Sequence, residues 1–385
     1  DSGDIVGGAQ TLGSVATGGA GNINYTQVRN NMEVGSVSTL GTVTLTASAG
    51  DINDNANDGT ADVTGSTVTL NASASGKGIG ASNGGLDTDA ASLSITAGDG
   101  GVNVQDIGDV NLTGFSVAAG GNVTISALGT LNLIASIAAT GTGTVTLTGD
   151  ADGNNTGGVI QHVGNSVTTA NQAITITSGD ADSGSANVEL RTVNAGAGAV
   201  TIISRDGSVI ERAAGSSSVI GGTVTLTADS ITGAVGASGS TIKTTAATLN
   251  ATSGSAGIFV TETDVVTLNS VDSSGGNGSI TISNTTGDML VGGVNAGTGA
   301  VTLTSTAGDI NDNASDSTTD ITGGDISLTA NAAGKGVGTS NGSLDTDAAT
   351  LTVNVGSGGA NVADAGALTL NASTLAANAS LSSMR

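Results

Sequence analysis

Proline, cysteine and tryptophan are absent from the 385 residues, and only Tyr25, Phe115 and Phe259 carry aromatic rings. Each absence excludes something. Without cysteine there is no disulfide framework, and the redox compartment is left undefined. Aromatic side chains bury about 150–250 Å² each, so a wide globular interior would have little here to fill it. Proline cannot donate to a β-ladder, and its absence suits a chain rich in strands. His162 is the single histidine, which excludes His-based triads and multi-histidine metal sites. Basic residues are few, 8 Lys and Arg against 32 Asp and Glu, for a net charge of −24. Nucleic acid and anionic lipid are therefore not expected as partners. No apolar run is long enough to span a bilayer, so no transmembrane segment is expected. The chain starts at Asp1 with neither a methionine nor an apolar leader, as a processed protein or an excised segment would.

What is present is 64 glycines and a hydrophobic fraction of 37%, drawn from Val, Ile, Leu and Ala, with a mean hydropathy of +0.19. Collagen would need glycine at every third position together with proline, and a disordered linker would lack the apolar alternation that runs throughout. A core built from small aliphatic residues over this length is thin and long, which is the description of a solenoid.

The repeats bear this out at three scales. GTVTLTASAGDINDNANDGTADVTG, starting at Gly41, returns as GAVTLTSTAGDINDNASDSTTDITG, starting at Gly299, with more than half of the positions identical. The match continues without a gap from Gly76–Leu93 to Gly334–Leu351. Inside this period of 258 residues, VTLT at Val43 recurs at Val145 and Val301, with VTII at Val200. These positions divide one continuous β-solenoid over 1–385 into modules at 41–142, 143–197 (shortened), 198–298 and 299–385 (partial), with 1–40 as the tail of a preceding module. At the finest scale the word is a five-residue strand, VTLTA, VTLNA, LSITA, ITITS or ISLTA, alternating apolar and polar residues at the period of a half-buried strand. β-Branched residues suit it, and corners rich in Gly, Asn, Asp and Ser separate the words.

Strand words at Val43, Val68 and Leu93 lie about 25 residues apart, which predicts coils of about 20–25 residues stacked about 4.8 Å apart. The chain would then make roughly 16–18 coils in a rod on the order of 80 Å long. The fold class expected is all-β, a parallel β-helix.

The words GTVTLTxxxGDI, ITGGxxxLTA, GxGIGxSNGxLDTDAAxL and GGxNVxDxGxLTL resemble those of large bacterial surface proteins of the filamentous-haemagglutinin and autotransporter-adhesin type, over most of the chain. The resemblance implies a right-handed parallel β-helix that is secreted to the outer face of the cell. It further implies a structural or adhesive role in attachment, cell–cell contact or filament assembly, with a host or neighbouring-cell surface as ligand. It supplies no catalytic residue, and no enzyme is expected.

The candidate sites are carboxylate clusters. Asp51, Asp54, Asp58 and Asp62 are matched 258 residues later by Asp309, Asp312, Asp316 and Asp320. Asp- and Asn-rich corners offer the oxygens that Ca²⁺ takes, and they equally make solvated Asx-turns. GDADGN places Asp150, Asp152 and Asn154 at alternate positions, and GDAD at Gly179 repeats part of this with Asp180 and Asp182. The spacing resembles the start of a calcium loop but lacks the central glycine and distal Glu of the helix-loop-helix motif. No cofactor is required on this reading, with Ca²⁺ the one candidate, and a calcium-stabilised surface layer is the alternative function.

Two further alternatives follow from strand chemistry. LDTD at Leu86–Asp89 and Leu344–Asp347 sets two carboxylates on one strand face, a spacing that would suit glycoside hydrolysis, in a chain nearly devoid of aromatic platforms for sugars. Thr-x-Thr pairs such as Thr44/Thr46, Thr146/Thr148 and Thr302/Thr304 would form a flat ice-binding array, interrupted where Asn71 and Ser94 enter the row. Neither Asp1–Gly8 nor Leu375–Arg385 reads as a cap, and solenoid ends expose strand edges. Self-association end to end, or continuation into further repeats, is expected.

Overall fold

The computed structural model describes residues 10–81, 84–154, 156–179, 186–229, 231–371, 373–375 and 378–383. They form two compact units, Asp1–Gly198 and Ala199–Arg385. Every regular element among the described residues is a β-strand, and the named strands pair in parallel, making a β-solenoid of about 16 turns.

In the first unit the strand Thr42–Ala47 alternates half-exposed and buried positions, with Val43 and Leu45 inside and Thr44 and Thr46 outside. Its partner is the strand Val63–Ala72, which is followed by Leu86–Ala97, and the register places like on like. Val43 pairs with Val68 and then Leu93; Leu45 pairs with Leu70 and then Ile95. Each of these aliphatic side chains is at most 1% exposed. Fully burying one contributes about 1.5–3 kcal/mol. A single coil has only one side of this contact, so burial comes from stacking. Outside, the polar row runs Thr46, Asn71, Thr96, which breaks a pure threonine array as the sequence indicates. Tyr25, Phe115 and Phe259 are all half-exposed, so the core contains no aromatic ring.

The register advances by 25 residues from Val43 to Val68, by 25 to Leu93, and by only 19 to Leu112, with a bulge between Leu93 and Ser94. In the second unit Val301, Ile326, Leu351 and Leu370 repeat the same three steps. Val200, Val224, Leu249 and Leu268 repeat them to within one residue, again with a bulge, between Leu249 and Asn250. The short step has a local consequence. The strand Leu86–Ala97 pairs with Gly101–Asp106 only as far as Thr88↔Asp106, and resumes pairing at Ser92↔Asn111 with the strand Val110–Val117. Ala90 therefore has an amide with no ladder carbonyl on that side.

One buried acid fills this gap in each of three modules. Asp106 Oδ2 accepts from Thr88 Oγ1 at 2.8 Å and from the Ala90 amide at 3.0 Å, while its Oδ1 accepts from the Gly108 amide at 3.1 Å. Asp364 repeats this with Thr346, Ala348 and Gly366 at 2.9, 3.0 and 3.0 Å. Glu262 does the same work in the intermediate module with Thr244 at 2.5 Å and Ala246 at 3.0 Å. A buried N–H without an acceptor is costly, so a carboxylate here is a structural requirement of the shortened coil.

A candidate metal centre

Three segments of the first unit bring carboxylates to one point. Asp54 closes the strand Ile52–Asp54, Asp62 immediately precedes the strand Val63–Ala72, and Asp87 is the second residue of Leu86–Ala97. The 25-residue advance that pairs Val63 with Thr88 puts Asp62 beside Asp87. The Asp62 amide donates to the Asp87 carbonyl at 2.9 Å, and the Asp87 amide donates to Asp62 Oδ2 at 3.1 Å. The connection after Asp54 folds over them, with the Gly59 amide hydrogen-bonding the Asp87 carboxylate. As a result Asp54, Asp62 and Asp87 are 1, 2 and 5% exposed, and one ligand oxygen of each lies within 4.8 Å of the others.

The second unit places Asp312, Asp320 and Asp345 in the same register, at 0, 3 and 4% exposed, but among the described residues only the first trio gathers one oxygen of each acid within 4.8 Å. The Asp345 amide donates to Asp320 Oδ2 at 2.9 Å, and the Asp320 amide to the Asp345 carbonyl at 2.9 Å. Asp312 Oδ1 accepts from the Ala314 amide at 2.7 Å, as Asp54 Oδ1 accepts from Ala56 at 2.7 Å. Asp312 Oδ2 and Asp345 Oδ2 are buried and have no hydrogen-bond partner.

Electrostatics agree with the geometry. Burial, followed by the charges of Asp54 and Asp87, pushes Asp62 up to about 8 against the pull of the Asp87 amide. Burial likewise pushes Asp320 up to about 7, with Asp312 and Asp345 adding to the rise. Asp87 and Asp345 are raised for the same first reason. Three anions held in so little space, out of water, repel one another unless a proton or a cation intervenes.

The other acids singled out by the sequence lie elsewhere. Asp51 accepts from the Gly78 amide at 2.8 Å and pairs with Lys77 at 3.2 Å. Asp309 accepts from Gly336 at 2.8 Å and pairs with Lys335 at 2.9 Å. Both therefore fasten a neighbouring coil through its Gly-Lys-Gly corner and do not join the buried trio. Asp58 and Asp316 are exposed; the hydroxyl and amide of Thr60 and Thr318 bond their carboxylates and hold them below the usual range. Asp150 is buried in the left-handed conformation, with φ of 51°, and its amide donates to the Gly129 carbonyl at 2.7 Å. Asp152 is exposed and accepts from Asn154 at 2.8 Å, so GDADGN is a polar corner in which these two acids take different environments. Asp180 and Asp182 lie outside the described residues. Asp89 is exposed while Asp87 is covered, so the two acids of LDTD are not equivalent. His162 is half-exposed, its Nε2 3.4 Å from Asn132 Oδ1.

The sequence groups Asp54 and Asp62 with Asp51 and Asp58, and sets Asp87 apart with Asp89 in LDTD, although the 25-residue spacing of the strand words joins 62 to 87 as it joins 43 to 68. No known protein family, curated protein or solved structure matches this chain.

Proposed function

We propose that the chain is a structural and adhesive repeat segment of a large secreted bacterial surface protein or extracellular filament, serving attachment, cell–cell contact or fibre assembly. One observation carries the reading: the register of 25, 25 and 19 residues recurs to within one residue through three modules, each with buried aliphatic residues at its first three positions and a buried acid at the short step. Such a chain commits its sequence to scaffold regularity. Its outward rows are short polar side chains and its net charge is −24, which keeps a β-rich surface solvated and blunts lateral aggregation. The resemblance of the repeat words to haemagglutinin-like surface proteins supports the same reading. The test is twofold. Negative-stain micrographs are expected to show elongated particles of uniform width, and beads coated with the chain are expected to adhere to bacterial or host cells above the level of beads carrying an acidic globular protein. Compact globules, or adhesion no greater than that control, would overturn the proposal.

A further inference from the structure

We infer that Asp54, Asp62 and Asp87, and their counterparts Asp312, Asp320 and Asp345, each bind a hard divalent cation of the calcium class, the first trio through three oxygens already gathered and the second through oxygens left without donors. The inference does not depend on the adhesive reading. Two oxygens bound to one Ca²⁺ at about 2.3–2.6 Å can be no more than about 5 Å apart, and the three ligand oxygens of the first trio lie within 4.8 Å of one another. A second observation, made at the second trio, is independent of that clustering. Asp312 Oδ2 and Asp345 Oδ2 receive no hydrogen bond although their side chains are 0 and 4% exposed. Buried carboxylate oxygens without donors are costly, and their other oxygens are already engaged, Asp312 Oδ1 by Ala314 and Asp345 Oδ1 by Ser343 at 3.3 Å. None of the ion pairs among the described residues involves Asp312, Asp320 or Asp345, since Lys335 is committed to Asp309 and Asp288. The second oxygens are thus left for a ligand that accepts lone pairs and brings positive charge. An all-oxygen donor set selects Ca²⁺ over softer ions that favour imidazole or thiolate, and the chain has one histidine and no cysteine.

The metal also has a function in the fold. Asp54 and Asp62 flank a seven-residue connection, and Asp87 belongs to the next coil. One ion would tie that connection to two successive coils, at the place where like charges otherwise push them apart.

The test is calorimetric titration of the metal-free full chain with Ca²⁺, expected to give two sites. Asp312→Asn with Asp345→Asn is expected to leave one site, Asp54→Asn with Asp87→Asn to leave one, and the four together none. Asp152→Asn is expected to leave both. Should a paired variant fail to fold by circular dichroism, the ¹³C carboxyl resonances of the unaltered chain supply the answer, with those of Asp312 and Asp345 shifting on Ca²⁺ addition and that of Asp316 following only weakly. Absence of heat and of carboxyl shifts up to about 10 mM Ca²⁺, well above the Kd of weak extracellular modules, would overturn the inference. So would a stoichiometry indifferent to the substitutions, which would mark diffuse counterion binding by an acidic surface.

Discussion

Thr88 Oγ1 donates to Asp106 Oδ2 at 2.8 Å, joining a strand to the coil that follows it at the point where that coil loses a side. The same carboxylate oxygen takes the Ala90 amide. Replacing Thr88 by Val keeps the volume and removes the hydroxyl, leaving a buried carboxylate with one donor fewer. We expect a loss of about 1–3 kcal/mol, read locally as faster hydrogen exchange at the Ala90 amide. Thr346→Val should do the same at Ala348, where Asp364 is the acceptor, and the two effects should add because the sites share no partner.

Asp106 also sets a pH dependence. Burial pushes its carboxyl up to about 6, against the bonds from Thr88, Gly108 and Ala90. A carboxyl whose folded value exceeds its unfolded one favours folding in the protonated form. Its contribution is complete below about pH 4 and is lost as the pH rises through 6. A rise from 3.8 to about 6 corresponds to about 3 kcal/mol. Hydrogen exchange around residues 88–108 should therefore accelerate between pH 4 and 7. A ¹³C titration should find Asp106 near 6 while Asp58, bonded by Thr60, titrates below the ordinary range.

Two glycines on either side of the strand Gly336–Val337 separate conformational strain from steric exclusion. Gly334 has φ of +80° with open space where a Cβ would stand, whereas Gly338 has φ of +62° and a Cβ there would lie 2.0 Å from the Asn361 carbonyl oxygen. Gly334→Ala should cost about 1–2 kcal/mol, the left-handed penalty alone. Gly338→Ala adds a backbone collision with the next coil and should cost several kcal/mol more, seen as a lower melting midpoint and loss of protection in the strand Gly359–Asp364.

The scaffold was legible because its signals are local. Alternation at Val43–Thr46 gives the strand, and the spacing to Val68 gives the coil. The site was half legible. Asp54, Asp62, Asp312 and Asp320 stand out because they survive duplication, but Asp51 and Asp309 survive with them for a different reason, their bonds to Lys77 and Lys335. A conserved interval cannot separate an acid that meets a lysine from one that meets two other acids. That distinction depends on which corner of the coil each side chain occupies, and the varying advance of 25 or 19 residues hides it from linear spacing. Asp106 and Asp364 escaped notice because their function arises only where a coil is short, and nothing next to them in the chain marks that.

The closing of the register has a genetic side. Ile23 pairs with Val43 as Ile280 pairs with Val301, and the steps that follow are the same in both units. Unequal exchange between the DNA of the Gly41 and Gly299 copies would add or remove 258 codons while leaving each strand with a partner it already fits. Length in such a chain can therefore vary by recombination without any need for compensating substitutions.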